Sequence, residues 1–203
     1  MSTLVQEIDW NKCDGLIPAI IQDSATLQVL MLGYMNEEAL EATLASKRVT
    51  FYSRTKERLW QKGESSENYL NLESIQLDCD QDTLLISARP EGPTCHLNTT
   101  SCFGDSHAPG IGFLGHLENV IRKRKKEMPE GSYTTTLFNK GIDTIAQKVG
   151  EEAVETVIAS KNSEKDPLVN EVGDLLYHLL VLLRQKGTDL SEIMKILRQR
   201  HSS

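Results

Sequence analysis

The chain has 203 residues, of which 39% are hydrophobic and 25% charged, an ordinary composition for a folded protein that excludes disorder and collagen-like structure. No run of about 18 apolar residues is present and residues 1–10 lack the apolar segment of a signal peptide, so we expect a cytoplasmic protein without a membrane partner. The net charge of −7 argues against a general nucleic-acid-binding protein.

Charge and cysteine content divide the chain into two unlike parts. Residues 1–107 hold 8 Lys and Arg against 16 Asp and Glu, a net charge of −8, whereas residues 108–203 hold 14 against 13, a net charge of +1. All four cysteines lie in the first part. Gly and Pro residues are frequent where the two parts of the chain meet, so we expect two domains, residues 1–111 and 112–203.

The first part is predicted to be an α+β, strand-rich domain. Short apolar runs at 17–21 and 26–31 flank the polar segment 22–24, which is typical of a β-hairpin. Asn36 is placed to cap a helix over residues 37–46. Three further strands are predicted at 49–53, 72–77 and 83–88.

The second part is predicted to be an all-α bundle of four helices. Apolar residues recur at helical spacing over 114–126, 138–160 and 167–185. Gly187 is placed to end the third helix, and Asp189 with Glu192 to cap the fourth, which runs through Arg200. The expected core stripe of the second helix consists of Ile142, Ala146, Val149, Ala153 and Val157.

Three carboxylates alternate with other residues in the segment Asp78–Asp82. In an extended chain they would share one face and Cys79 would point to the other. Oxygen ligands suit Mg²⁺ or Ca²⁺, but an EF-hand is excluded because Thr83 stands where that loop needs Gly and Arg89 where it needs Glu. A solvated acidic turn is the alternative.

Three cysteines of the first part could form a metal site: Cys79, Cys95 and Cys102. Three thiolates with an open fourth position are typical of catalytic zinc. A closed site would need the distant Cys13, and buried, unreactive cysteines are a further alternative. Two neighbouring histidines could be ligands, proton shuttles or surface residues: His96 and His107.

The segment Trp60–Ser66 has the composition of a phosphate-binding turn, although a plain turn would look similar. Gly63 allows backbone amides to approach a ligand, Lys62 adds a positive charge, and Ser65 and Ser66 add hydroxyl donors.

The helical part carries acidic pairs at helical spacing, namely Glu151, Glu152 and Glu155 on one helix and Glu171 and Asp174 on the next. Two antiparallel helices could join these carboxylates into a Mg²⁺ site for phosphoryl chemistry. Solvated helix faces are the alternative.

Two other residues of the helix predicted over 167–185 have unusual positions. Gly173 costs about 1 kcal/mol relative to Ala inside a helix, which indicates a close approach there. His178 lies one turn after Asp174 and could hydrogen-bond its carboxylate or simply pack; we do not count it as a ligand.

These motifs resemble two known families. The first part resembles phosphoribosyl-AMP cyclohydrolase at residues 33–40, 51–54, 59–66, 78–82, 92–96 and 101–103. The second part resembles phosphoribosyl-ATP pyrophosphatase, an all-α nucleotide pyrophosphohydrolase, at residues 148–155 and 170–176. Their order is that of the bacterial bifunctional proteins of histidine biosynthesis.

The resemblance implies two consecutive hydrolyses, steps two and three of that biosynthesis. The second domain would cleave phosphoribosyl-ATP to phosphoribosyl-AMP and pyrophosphate, and the first would open the adenine ring at N1–C6 with zinc-activated water. It also implies Zn²⁺ and Mg²⁺ as cofactors, ATP-type nucleotide binding, and a homodimer. An apolar patch at Val154 and Ile158 would fit a dimer contact, or equally core.

Site residues follow from the same resemblance. In the first domain, Mg²⁺ ligands would be Asp78, Asp80 and Asp82, and zinc ligands shared across a dimer would be Cys79, Cys95 and Cys102. Proton transfer would fall to His96 or His107, and substrate binding to Arg54, Lys62, Gly63, Ser65 and Ser66. In the second domain, Mg²⁺ ligands would be Glu152, Glu155, Glu171 and Asp174, with Glu151 as a further ligand or base and Lys140 and Lys148 at the phosphates.

Two rival functions remain open at this point. One is a non-catalytic zinc module fused to a helical interaction bundle. The other is a nucleoside triphosphate pyrophosphatase, acting on ordinary nucleotides, with a degenerate partner domain.

Overall fold

A computed structural model of the chain describes residues 3–104, 108 and 110–201. Contacts divide the chain into two units, Met1–Gly112 and Phe113–Ser203. All strands of the described residues lie in the first unit, and the second is built from helices, which confirms the predicted fold classes. Within the described residues no helix is long and apolar enough to cross a membrane.

The first unit is built on a four-stranded sheet with the order β2-β1-β6-β5. Its strands are β1 (Ile17–Asp23), β2 (Val29–Met35), β5 (Leu70–Leu77) and β6 (Leu84–Pro90). The predicted hairpin is confirmed, because β1 and β2 pair antiparallel; β1 pairs parallel with β6, and β6 antiparallel with β5. A separate ribbon joins β3 (Thr50–Ser53) to β4 (Arg58–Gln61), a short strand that the sequence pattern missed.

Helices cover the apolar side of this sheet. The predicted helix α2 spans Glu37–Ser46, and its cap is confirmed because the Asn36 side chain accepts a hydrogen bond from the Ala39 amide at 2.9 Å. A short helix α1 (Thr3–Glu7) and a 3₁₀ turn (Trp10–Cys13) precede the sheet and were not predicted. The core under these elements includes Ile17, Ile21, Leu30, Met35, Leu40, Phe51, Leu84 and Ile86.

The second unit has five helices in the described residues, one more than predicted. They are α3 (Gly112–Glu127), α4 (Tyr133–Lys140), α5 (Ile142–Ala159), α6 (Lys165–Lys186) and α7 (Leu190–His201). The expected helix over 138–160 is interrupted at Gly141, whose φ of 87° suits glycine and not a continuing helix. Gly187 ends α6 in the left-handed conformation, as predicted.

The expected core stripe of α5 is wrong. Ile142 and Val157 are 38% and 62% exposed, whereas Ile145 is fully buried. The helix is apolar on more than one side, so its pattern alone could not show which side this chain covers. The core of the unit consists of Ile121, Leu137, Phe138, Ile145, Leu180 and Val181.

Among the described residues, the close approach expected at Gly173 does not occur. A Cβ atom added there would meet none of their atoms within 4 Å beyond the backbone of its own helix.

Candidate active sites

Residues of the predicted phosphate turn and two of the three predicted zinc ligands line one cavity in the first unit, with a volume of about 280 Å³. The sequence-predicted residues in its wall are Lys62, Gly63, Ser65, Ser66, Cys95, His96 and Cys102. Trp60, the first residue of that turn, also lines it, as does Thr94, which was not identified as a site residue from the sequence. The Thr94 hydroxyl is buried and has no hydrogen-bond partner among the described residues, which suits a cavity that receives a polar ligand.

Hydrogen bonds to the start of β2 fix Cys102, and a backbone turn fixes Cys95. The Cys102 amide donates to the Leu30 carbonyl at 2.8 Å, and the Ser101 hydroxyl donates to the Val29 carbonyl at 2.8 Å. The Cys95 amide closes a turn onto the Thr99 carbonyl at 3.1 Å. The sheet thus anchors the segment Ser101–Cys102, although 71 residues separate Ser101 from Leu30 in the chain.

The electrostatics of the cavity favour at least one thiolate. The Leu97 backbone amide, followed by the Thr99 hydroxyl, lowers the pKa of Cys95 by hydrogen bonding, whereas desolvation raises the pKa of Cys102. Burial lowers the pKa of Lys62, and the nearby thiols of Cys102 and Cys95 oppose that shift. The positive charge of Lys62 lowers the pKa of Cys102 but does not outweigh the desolvation that raises it, so the thiolate, which is the form that binds metal, is favoured at Cys95.

The turn after β4 depends on a glycine. Gly63 has a φ of 96°, and a Cβ atom there would lie 2.8 Å from the Asn68 backbone and from the Tyr69 ring. The turn therefore requires glycine at this position. Ser65 and Ser66, which follow it, are exposed and line the cavity.

Arg54 and the two histidines have different environments. The Arg54 guanidinium lies 3.9 Å from the centre of the Tyr34 ring and is not in the cavity wall. His96 is exposed, with Nδ1 3.8 Å from the Cys95 sulfur. His107 lies outside the described residues.

The carboxylates of the three predicted Mg²⁺ ligands in the first unit lie close together, but the backbone that carries them is not the extended chain expected from the sequence. Asp78, Asp80 and Asp82 each place a carboxylate oxygen within 4.8 Å of the others. The segment is a turn between β5 and β6 and not an extended chain, because the Asp78 carboxylate accepts hydrogen bonds from the amides of Asp82 and Thr83 at 3.0 and 3.1 Å. The turn brings together side chains that alternation had placed on one strand face.

A lysine is the cation of this cluster in the structure. The Lys12 ammonium lies 2.5 Å from the Asp80 carboxylate and 2.7 Å from that of Asp82, and it also donates to the Asp80 carbonyl. These hydrogen bonds raise the pKa of Lys12 well above its ordinary value. Lys12 was not identified from the sequence, since 68 residues separate it from its partner.

Cys79 lies on the same turn and is exposed. Among the described residues, groups of three metal-binding side chains within 4.8 Å comprise only the two acidic sets, so the three cysteines do not come together in one chain.

The helical unit brings three of its four predicted Mg²⁺ ligands together. Glu152 and Glu155 of α5 and Glu171 of α6 have carboxylate oxygens within 4.8 Å of one another. Glu152 is buried, at 6% exposure, and the other two reach solvent. Asp174 is one turn further along α6, and its carboxylate is not part of this group.

The neighbouring charged residues are already paired. The Lys148 ammonium lies 2.7 Å from the Glu151 carboxylate and 3.6 Å from that of Glu152. Glu151 also accepts a hydrogen bond from Gln147 at 2.7 Å, and these contacts, that of Lys148 first, lower its pKa. Lys140 is an exposed residue at the last turn of α4.

His178 and Tyr133 lie behind the acidic group. His178 Nδ1 is 2.9 Å from the Asp174 backbone oxygen and 3.6 Å from the Glu152 carboxylate, so it bonds the Asp174 carbonyl and not the Asp174 carboxylate, which was one of the two sequence-based alternatives. Its Nε2 is 3.0 Å from the Tyr133 hydroxyl. Tyr133 was missed because α4 was not recognised as a helix; the Ser132 cap before it was the available signal.

Comparison with known proteins gives the same division of the chain. The model of the phosphoribosyl-AMP cyclohydrolase family matches residues 31–104, and that of the phosphoribosyl-ATP pyrophosphohydrolase family matches residues 114–201. The histidine biosynthesis bifunctional protein HisIE of Photobacterium profundum is 54% identical over 98% of this chain and 99% of its own length. HisIE of Escherichia coli K12 is 55% identical, with coverages of 97% and 96%.

The chain belongs to the HisIE family. HisIE of Xanthomonas axonopodis pv. citri is likewise 57% identical over 96% of this chain and 93% of its own. The chain is thus a bifunctional hydrolase of histidine biosynthesis, with cyclohydrolase and pyrophosphohydrolase activities on small nucleotide substrates. The resemblance found in the sequence motifs is confirmed.

Proposed function

We propose that the two activities are metal-dependent hydrolyses carried out separately by the two units, as steps two and three of the biosynthesis. The helical unit would cleave phosphoribosyl-ATP to phosphoribosyl-AMP and pyrophosphate. The first unit would then open the adenine ring at N1–C6. The observation that carries the proposal is that each unit gathers its own metal-binding side chains: two thiols in a cavity of the first, and three carboxylates on α5 and α6 of the second.

In the helical unit, Glu152, Glu155 and Glu171 fit Mg²⁺, because three carboxylates this close repel one another unless a cation lies between them. Mg²⁺ held there would neutralise charge on the triphosphate. Lys148 would turn from its carboxylates to a phosphate oxygen. Glu151 remains a carboxylate at neutral pH, since its pKa is lowered, and would orient the attacking water by accepting its proton in a hydrogen bond.

In the first unit, Cys95 and Cys102 fit zinc, because thiolate is its preferred ligand, the Leu97 amide favours that form of Cys95, and Lys62 opposes part of the desolvation of Cys102. Zinc would supply activated water for attack on the ring. His96, exposed beside Cys95, would move a proton to or from solvent. Ser65, Ser66 and the Gly63 amide region would bind the phosphate. Thiol ligands need a reducing compartment, so we place the enzyme in the cytoplasm.

A homodimer would supply what one chain lacks. Cys79 of a second copy would complete the zinc ligands, while Asp78, Asp80 and Asp82 bind Mg²⁺ after Lys12 withdraws. The apolar residues Val154, Val157 and Ile158 of α5 are 59%, 62% and 62% exposed, too large an apolar surface for a helix that stays in water. Covering them against the same helix of a second copy gives a two-fold contact.

The proposal is tested with single variants of the full chain acting on phosphoribosyl-ATP, followed by ultraviolet absorbance, because ring opening changes the chromophore. Cys95→Ser should release pyrophosphate at the normal rate and accumulate phosphoribosyl-AMP. Glu155→Gln should abolish pyrophosphate release yet still open added phosphoribosyl-AMP. Cys13→Ser, a cysteine outside the cavity wall, should retain both reactions.

The rival functions give different results. If Cys95→Ser and Glu155→Gln both convert phosphoribosyl-ATP normally, the metal sites are not catalytic and the non-catalytic zinc module gains support. If the wild-type chain hydrolyses ordinary nucleoside triphosphates as fast as phosphoribosyl-ATP, the general pyrophosphatase is favoured.

A further inference from the structure

The protons of the His178 ring can be placed from its partners. Nδ1 lies 2.9 Å from the backbone oxygen of Asp174, and a carbonyl oxygen only accepts, so Nδ1 carries the hydrogen. In the neutral ring Nε2 then has a free lone pair, which accepts from the Tyr133 hydroxyl at 3.0 Å. The result is a chain of two hydrogen bonds, from Tyr133 through His178 to the backbone of α6.

The hydrogen-bearing edge of this ring lies beside a buried carboxylate. Glu152 is 6% exposed and His178 is 4% exposed, and their Oε1 and Nδ1 atoms are 3.6 Å apart. The Lys148 ammonium is also 3.6 Å from Oε1, but it pairs more closely with Glu151. The single N–H of the neutral ring is donated to the Asp174 carbonyl, and Glu152 Oε1 at 3.6 Å is beyond hydrogen-bond distance, so the imidazole edge acts on the buried carboxylate as a fixed dipole and not through a hydrogen bond.

Tyr133 in turn fixes the ring. It is the first residue of α4, directly after Ser132, whose hydroxyl caps that helix through the Thr135 amide. Its ring is stacked on the Tyr177 ring, with 6.2 Å between the ring centres, and lies edge-on to the His178 ring, with 6.0 Å between the ring centres. The hydroxyl therefore holds Nε2 from the side opposite Glu152, and the tautomer cannot change without loss of one of the two bonds.

We propose that His178 and Tyr133 are positioning residues of the pyrophosphohydrolase site, with His178 holding Glu152 in the orientation that binds the metal and Tyr133 holding the His178 ring. This inference rests on the proposed Mg²⁺ site at Glu152, Glu155 and Glu171. Groups that fix metal ligands from behind commonly change metal affinity by about 10- to 100-fold when they are replaced.

The test measures Mn²⁺ affinity by electron paramagnetic resonance, with no substrate present. All chains carry Asp80→Asn and Asp82→Asn, so that the acidic turn of the first unit does not contribute. His178→Gln places an amide near Nε2 and removes the donor at Nδ1, and it should raise the Mn²⁺ Kd at least tenfold. His178→Asn keeps a donor at the Nδ1 position and should stay within about threefold of the parent chain.

Two tyrosine variants give a matched comparison within one aromatic cluster. Tyr133→Phe removes the hydroxyl that holds His178 and should raise the Mn²⁺ Kd about three- to tenfold. Tyr177→Phe removes a hydroxyl whose hydrogen bond, among the described residues, is with the Thr134 hydroxyl at 2.8 Å. This variant should leave the Kd unchanged.

The outcomes separate this inference from the function on which it rests. If Glu155→Gln binds Mn²⁺ as the parent chain does, the proposed metal site fails and the inference fails with it. If Glu155→Gln loses Mn²⁺ but His178→Gln does not, only the inference is overturned. Equal weakening by His178→Asn and His178→Gln, with a matching fall in melting temperature, would make His178 a packing residue and overturn it as well.

Discussion

At the scale of single residues, Lys12 is the group whose role the structure changes most. Its ammonium lies among the carboxylates that we propose as Mg²⁺ ligands, so the ion must displace it from Asp80 and Asp82. We expect Lys12→Met to strengthen Mg²⁺ binding by the first unit about three- to fivefold, because the competing cation is removed. The same variant should melt at a lower temperature without Mg²⁺, since the carboxylates then repel one another.

Isothermal titration with Mg²⁺ checks this expectation, in a chain whose helical site is removed by Glu155→Gln. Lys56→Met removes an equal charge from the turn between β3 and β4 and should leave the affinity unchanged. Weaker Mg²⁺ binding by Lys12→Met would instead mean that the lysine supports the site.

The residues of this turn also show how far the sequence could lead. The spacing of three aspartates indicated a cation site, and their carboxylates do lie together. No sequence pattern indicated Lys12, because contacts between distant segments depend on how the 3₁₀ turn packs beside the sheet. The spacing also predicted the wrong backbone, since an Asp that accepts amide hydrogen bonds favours a turn over a strand.

At the scale of elements, Gly141 separates α4 from α5 and so sets where the acidic helix begins. Its φ of 87° and ψ of −174° are a region that glycine alone enters readily, so Gly141→Ala should destabilise the helical unit by about 1–3 kcal/mol. Gly150→Ala is the matched control, because an added Cβ at either position meets no neighbour within 4 Å in the described part of the chain, apart from adjacent helix backbone, and Gly150 lies inside α5. It should stabilise the unit by about 0.5–1 kcal/mol.

Urea unfolding followed by far-ultraviolet circular dichroism measures both changes. Equal effects of the two substitutions would show that the break between α4 and α5 does not need glycine. The periodicity of 138–160 could not reveal this break, since one residue outside helical geometry leaves the apolar spacing on either side intact.

The start of α7 gives a pH dependence. Asp189 accepts hydrogen bonds from the Ser191 hydroxyl at 2.6 Å and the Glu192 amide at 3.2 Å, and these bonds, the hydroxyl first, lower its pKa. A carboxyl group with a lowered pKa in the folded state stabilises the protein above its unfolded pKa, and this contribution is lost as the pH falls through the folded pKa. The predicted cap is therefore strongest at neutral pH.

Asp189→Asn keeps a cap acceptor but not the charge. We expect it to be less stable than the parent chain by a few tenths of a kcal/mol at pH 7, and the difference to vanish near pH 3. Thermal melts across that range check this, and a difference that grows on acidification would contradict it.

At the scale of the whole molecule, the exposed apolar face of α5 argues for self-association. The sequence pattern predicted part of this face as core, and the face is as apolar as a core surface. A pattern cannot distinguish a surface covered within the chain from one covered by a second copy. Val154→Glu with Ile158→Glu should shift sedimentation from dimer to monomer at micromolar concentration. Asn162→Glu, an exposed substitution after the helix, should remain dimeric.

Because Cys79 is separated from the other two thiols within one chain, mixed dimers can test whether each zinc site takes its ligands from both chains. If the zinc site takes Cys79 from one chain and Cys95 and Cys102 from the other, Cys79→Ser and Cys95→Ser chains are each inactive as cyclohydrolases. Co-folded in equal amounts, they should recover about a quarter of the wild-type sites, because one site of each mixed dimer has all three thiols.

The matched mixture is Cys95→Ser with Cys102→Ser. Cys95 and Cys102 of one site come from the same chain, so each site of a mixed dimer lacks one of these two thiols. No cyclohydrolase activity should therefore return. Pyrophosphate release by the helical units serves as the internal measure of folded protein in every mixture. Absence of recovery in the first mixture, with normal pyrophosphate release, would mean that the zinc ligands come from a single chain.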